Sequence, residues 1–174
     1  MSNNAVFIDN TRFIFKTNFS GDPKRDNFGS DRRKASVIIP DPELAKELIK
    51  SGFTVKETGP REDDDPNTFV PEFHTTVLLS YRDRNGEEVR YPPKVYLVSG
   101  DNEPRLLDEE SVREIDEMRI ENVDVVLNPY QHNVNEGRKT LYIRTMYVVQ
   151  KLDDDPYAAK YRGRSEQYGE GDPF

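Results

Sequence analysis

The sequence has no cysteine, only two histidines, and no apolar run near the roughly 18 residues that a membrane-crossing helix needs. Without cysteine, disulfides and thiolate metal sites are excluded. The opening MSNNAVFIDN lacks both a charged n-region and an apolar h-region, so no secretory leader is expected. There is no GxxxxGK[ST] to cradle phosphate and no GxSxG to present a nucleophile. His74 and His132 stand far apart in unlike settings, so each reads as structural or solvated. These absences predict a soluble protein of a reducing, intracellular compartment, without membrane contact, cofactor or catalytic residue.

Apolar residues are also scarce, at 34% of 174 residues, and mean hydropathy is −0.88. A chain this polar approaches the disordered range. Its apolar residues are nevertheless gathered into blocks: TRFIFKT, ASVIIP, TTVLLSY, KVYLVSG, VDVVL and TLYIRTMYVV. Such blocks can build the core of one domain. The net charge of −8 argues against a nucleic-acid partner if it is spread evenly. It is not. Between Asp9 and Lys34 seven cations face four acids, whereas acid collects at 62–65, 108–124 and 153–155.

Residues 11–17 alternate, with Phe13 and Phe15 on one expected core face and Arg12 and Lys16 on the other. A polar loop, NFSGDPKRDNFGSDRR, leads to a strand at 34–39. PDPELAKELIKSGF predicts a helix, capped by Asp41, with Pro42 in its first turn, an apolar face of Leu44, Leu48 and Ile49, and Gly52 to stop it. Further strands are expected at 53–58, 69–81, 88–91, 94–99, 120–127 and 139–150, with Asn85-Gly86 as a hairpin turn. LDEESVREIDEM reads as a short acidic helix starting near Asp108.

Short, closely spaced strands without βα alternation predict an all-β fold with one or two short helices. The economical form is an OB-fold, a five-stranded Greek-key barrel with insertions at 42–52 and 108–118. The domain is expected over 1–161, followed by a flexible tail at 162–174.

Single-stranded nucleic acid calls for cations along its phosphates and aromatic rings to stack its bases. The first strand–loop–strand unit interleaves the two as Arg12, Lys16, Phe19, Lys24, Arg25, Phe28, Arg32, Arg33 and Lys34. Phe13 and Phe15 read as core, while Phe19 and Phe28 lie in the polar loop and read as stacking rings. A second set is Tyr130, Arg138, Lys139, Tyr142 and Arg144, where Tyr142 and Arg144 share a strand face by the period of two. Asp63–Asp65 and Asp153–Asp155 have oxygen ligands for Mg²⁺, but consecutive loop acids point apart, so no metal site is expected. Asp124 is the one strand carboxylate that suits a nuclease, and it lacks an obvious partner.

TRFIFKTNFSGDPKRDNFGSDRRKASVIIPDPELAKELIKSGFTVKET resembles the opening of a family of phage-encoded single-stranded DNA-binding proteins, and IENVDVVLNPYQHNVNEGRKTLYIRTMYVV looks like its closing strands. The resemblance implies an oligonucleotide-binding barrel that coats single strands in the cytoplasm of a bacterial host during replication, recombination or repair. EQYGEGDPF, with Asp172, Pro173 and Phe174, is similar to the acidic tip that bacterial single-stranded DNA-binding proteins offer to partner enzymes. A polymerase, helicase or recombinase is the implied partner, its apolar pocket taking the ring. The expected function is therefore sequence-nonspecific, non-enzymatic binding of single-stranded DNA, with homo-oligomerisation left open. The alternatives are a structural virion β protein and a metal-dependent nuclease.

Overall fold

The computed structural model describes residues 5–59, 64, 65, 67–133 and 138–152. Its strands are β1 (Val6–Thr11), β2 (Phe13–Asn18), β3 (Lys34–Ile39), β4 (Lys56–Glu57), β5 (Phe73–Leu78), β6 (Lys94–Val98), β7 (Arg105–Leu107), β8 (Ile120–Asn133) and β9 (Arg138–Gln150). One α-helix, α1 (Pro42–Lys50), and two 3₁₀ segments, Pro23–Arg25 and Ser111–Glu117, complete it. The fold is all-β with short helices.

The pairings run β1-β8-β9-β5-β3-β2, and every pair is antiparallel except β5 with β9. The two ends of that path are successive halves of one segment, separated only by Arg12. Thr11 Oγ1 donates to the Ile38 carbonyl (2.6 Å), and the Ile38 N–H donates to the Arg12 carbonyl (3.0 Å), so the bend itself is bonded to β3. A bent first strand serving both neighbours, with the third and fifth strands parallel, is the connectivity of an OB barrel. Here those five strands are β1/β2, β3, β5, β8 and β9. β6 adds itself to β9 in parallel and carries β7 on its far side, while β4 pairs the start of β5.

Alternation places Val37, Val77, Val123, Val125, Leu127, Leu141 and Ile143 inside. Each such side chain contributes about 1.5–3 kcal/mol by leaving water. α1 packs on β3 and β5 through Ala45 and Leu48. Its start is as expected: the Asp41 carboxylate accepts from the Glu43 N–H (3.0 Å), with Pro42 at the first position. Gly52, at φ +97°, adopts the left-handed conformation after the helix. Ile49 lies half outside, so the apolar face is narrower than its spacing predicts. Among the described residues no helix is long and apolar enough to cross a membrane.

Several expectations need correcting. β8 runs on to Asn133 instead of ending at 127, and the strand expected over 53–58 is confined to Lys56–Glu57. The residues at 88–91 form only an isolated bridge, Arg82 to Glu88, because charged residues and Pro92-Pro93 leave no apolar face to extend the pairing. β1 and β7 were not expected, and both are real strands. Phe15 is not core. The β2–β3 register shifts after Ile14, Phe15 takes φ +66°, and its ring stands 66% exposed, edge-on to His74 at 5.3 Å.

Candidate nucleic-acid interface

The β2–β3 loop is shaped by two carboxylates. Asp116, on the 3₁₀ segment 111–117, accepts from the Thr17 hydroxyl (2.7 Å) and from the N–H groups of Phe19 (2.8 Å) and Ser20 (2.9 Å). Asp26 accepts from the N–H groups of Phe28 (2.8 Å) and Ser30 (2.9 Å) and pairs with the Lys34 ammonium. Those donors, Lys34 first, pull the Asp26 pKa down to about 2.

Much of the expected cation set is occupied inside the protein. Arg25 donates to the Thr17 and Asp116 carbonyls and to Glu117, and its side chain is largely buried. Arg33 donates to the Phe19 carbonyl (2.6 Å) and lies over the Tyr81 ring. Arg12 pairs with Glu72, and Lys139 donates to the Ser51 carbonyl above the Phe53 ring. These groups brace the fold, as does Lys34 through Asp26. Lys16, Lys24 and Arg32 remain exposed, with no carboxylate at salt-bridge distance among the described residues.

Phe19 corrects the stacking assignment. It is 0% exposed and meets Phe13 edge to face at 5.4 Å. No base can reach it in this conformation. Its polar sequence neighbours are satisfied by Asp116 and Arg33, so the ring turns inward. Phe28, by contrast, is 94% exposed at the loop tip.

The outer face of the sheet, whose strand path among the described residues is not closed into a complete barrel, carries a cleft of about 1230 Å³ lined by Arg32, Ser80, Arg82, Asp83, Arg84, Val89, Arg90, Tyr91, Pro92, Pro93, Lys94, Asn128, Tyr130, Tyr142, Ile143, Arg144 and Thr145. It therefore gathers Arg32 from the first expected set and Tyr130, Tyr142 and Arg144 from the second. Tyr142 is cross-strand to Asn128, and Tyr130 reaches it diagonally, edge to face at 6.1 Å. Between Ile143 and Thr145 the β8–β9 register slips by one residue, leaving Arg144 as the extra residue of a bulge. Tyr142 and Arg144 share the outer face by alternation, and the extra residue resets the phase so that Met146 and Val148 again point into the core.

Half of the cleft escaped the sequence reading. It comes from the β5–β6 connection, where the Asp83 carboxylate accepts from the Asn85 (2.8 Å) and Glu87 (3.0 Å) N–H groups and Gly86 takes φ +81°. Arg82 is tied to Glu109 by a forked pair (2.9 and 3.1 Å), which anchors the hairpin. Arg90 lies over the Tyr91 ring at 5.3 Å, and that ring is 81% exposed. Arg84, Arg90, Lys94 and Arg144 meet no carboxylate at salt-bridge distance among the described residues. Among the described residues Asp83 is the one acid that lines the cleft. Cations alternating with exposed rings suit a phosphate backbone with unstacked bases.

Other candidates stand apart. Asp124 accepts from the Asn10 N–H (2.7 Å), and Asp65 caps the Asn67 N–H (2.9 Å). Among the described residues no group of three His, Asp or Glu side chains is arranged to hold a metal ion. Asp63, Asp153–Asp155, the Arg138 side chain, Asp172, Pro173 and Phe174 lie outside the described residues.

The chain is similar to the crystal structure of gp2.5, a single-stranded DNA-binding protein encoded by bacteriophage T7, with 16% identity and a TM-score of 0.42 over 88% of this chain and 96% of that one. No curated protein matches it. Residues 2–163 match the family described as "Putative phage ssDNA-binding domain". That match spans nearly the whole chain and agrees with the cation- and tyrosine-lined face: the chain belongs to the phage single-stranded-DNA-binding domain family.

Proposed function

We propose that the protein binds single-stranded DNA without regard to sequence, along the outer face of the sheet, and so protects and organises it during phage replication, recombination or repair. The observation that carries this reading is the cleft, which is lined by Arg32, Arg84, Arg90, Lys94 and Arg144 together with Tyr91, Tyr130 and Tyr142. The cations follow phosphates, and the rings stack bases of any identity. Phe28, four residues before the cleft residue Arg32, offers a further exposed ring on the β2–β3 loop. In this role the protein acts by binding and positioning, with no bond made or broken.

The stretch Asp172-Pro173-Phe174 is the proposed hook for a polymerase, helicase or recombinase. Its ring would fill an apolar pocket while neighbouring acids meet cations on the partner. Titrating a labelled oligothymidylate with and without Mg²⁺ tests the main reading. Retention of an intact strand is the expected result. Cleavage would establish a nuclease instead, and failure to bind at low salt would leave a structural β protein.

A further inference from the structure

We infer that Asp26 is a positioning residue for single-strand binding: its carboxylate holds the β2–β3 loop so that Phe28 is presented, already ordered, to a base. The inference rests on the proposed DNA-binding function. Simple electrostatics predicts the opposite for an acid on a DNA-binding loop, since removing it should strengthen binding to a polyanion.

The geometry favours positioning. The Asp26 side chain is only 4% exposed although it sits in a polar loop. One of its oxygens accepts from the Phe28 and Ser30 N–H groups, and the other meets the Lys34 ammonium at the start of β3. The loop tip is thereby fastened to the first residue of a core strand. Gly29, at φ +75°, makes the turn between the two bonded N–H groups. Ser30 then accepts from the Arg32 N–H (3.2 Å), which carries the same order to the cation that lines the cleft. Phe28 is 94% exposed and has no packing among the described residues that would hold it, so its place depends on this backbone mount. Without the mount, the ring would have to be ordered when DNA binds, and affinity would fall by the cost of that ordering.

The test is a double-mutant cycle on the full chain, with oligothymidylate binding measured by fluorescence anisotropy against salt and thermal unfolding measured alongside. Asp26→Ala is expected to weaken binding roughly 2- to 12-fold, the ordering cost of one side chain. In a Phe28→Ala background the same change should weaken binding much less, leaving only the part carried by Arg32. The freed Lys34 should steepen the salt dependence by about 0.7 in log K per log salt if it finds a phosphate. Asp26→Asn, which keeps an acceptor oxygen, should fall between wild type and Asp26→Ala. Tighter binding by Asp26→Ala would reduce Asp26 to a charge that masks Lys34 and overturn the inference. Equal weakening in both backgrounds would overturn it too, as would a Phe28→Ala variant with unchanged affinity. A wild-type chain that fails to retain the strand at low salt would refute the DNA-binding reading itself.

Discussion

Phe19 and Phe28 sit nine residues apart in the same polar stretch, and the structure gives them opposite tasks. Phe19→Ala removes a fully buried ring that meets Phe13 at 5.4 Å. Such truncations cost about 3–5 kcal/mol. In a domain of this size each kcal/mol lowers the melting temperature by roughly 2–4 °C, so a fall of about 6–20 °C is expected. The vacated space should also loosen the Asp116 and Arg33 bonds that flank the ring. Phe28→Ala should leave the melting temperature nearly unchanged, because the ring contacts mostly solvent. If a base stacks on it, binding should weaken by about 1–3 kcal/mol, or roughly 5- to 150-fold in Kd. Thermal unfolding followed by tyrosine circular dichroism, beside oligonucleotide titration, separates the two. A Phe19→Ala chain with wild-type melting and lost affinity would refute the assignment of core and surface.

Other expectations follow from the same geometry. Arg144→Ala should lower the salt slope by about 0.7 if Arg144 meets one phosphate, with little change in melting, whereas Arg33→Ala should cost stability and leave the slope alone. Burial, aided by Lys56, lowers the His74 pKa below its ordinary 6.5. The unfolded chain therefore takes up the proton first, so stability should be full above pH 6.5 and decline as pH falls below it. His74→Gln should remove that part of the acid sensitivity, as read by melting temperature across pH 5–8. Burial also pushes the Tyr81 pKa up to about 12, and its hydroxyl has no hydrogen-bond partner among the described residues, so Tyr81→Phe should be neutral or stabilising in urea unfolding. Deleting Phe174 should leave DNA affinity unchanged and abolish capture of a replication or repair enzyme, as read by pull-down.

The legible parts of the chain were those set by neighbours in sequence. α1 announced itself through Asp41, Pro42 and Gly52, each acting within a turn or two. Most of the five strands showed in their apolar blocks, β1 being the exception, and their order suited an OB connectivity that the pairings then showed. Phe15 was misread because a period-2 pattern assumes an unbroken ladder, and a register shift turned it outward. Phe19 was misread because its burial is arranged by Asp116, some 97 residues away, and by Arg33. Pairings with Glu72, with Asp116 and Glu117, with the Phe19 carbonyl, with Asp26 and with the Ser51 carbonyl likewise make Arg12, Arg25, Arg33, Lys34 and Lys139 braces as much as a charged surface. Tyr91 and its neighbours were passed over because Arg82, Arg84, Arg90 and Lys94 are interleaved with Asp83, Glu87 and Glu88, so the stretch looks nearly neutral. Folding separates those signs: among the described residues the cations line the cleft with Asp83 as the single acid. An exposed tyrosine flanked by arginine and two prolines was the available signal.

The most direct test of the central claim compares wild type with Tyr91→Ala/Tyr142→Ala for binding to oligothymidylate, oligoadenylate and a duplex of equal length, across a range of salt. Tight binding to both single strands, weak binding to the duplex, a linear fall of log K with log salt, and a large loss in the double variant without loss of fold are the predicted results. Equal affinity for duplex and single strand, or a double variant that binds as tightly as wild type, would contradict the placement of the site.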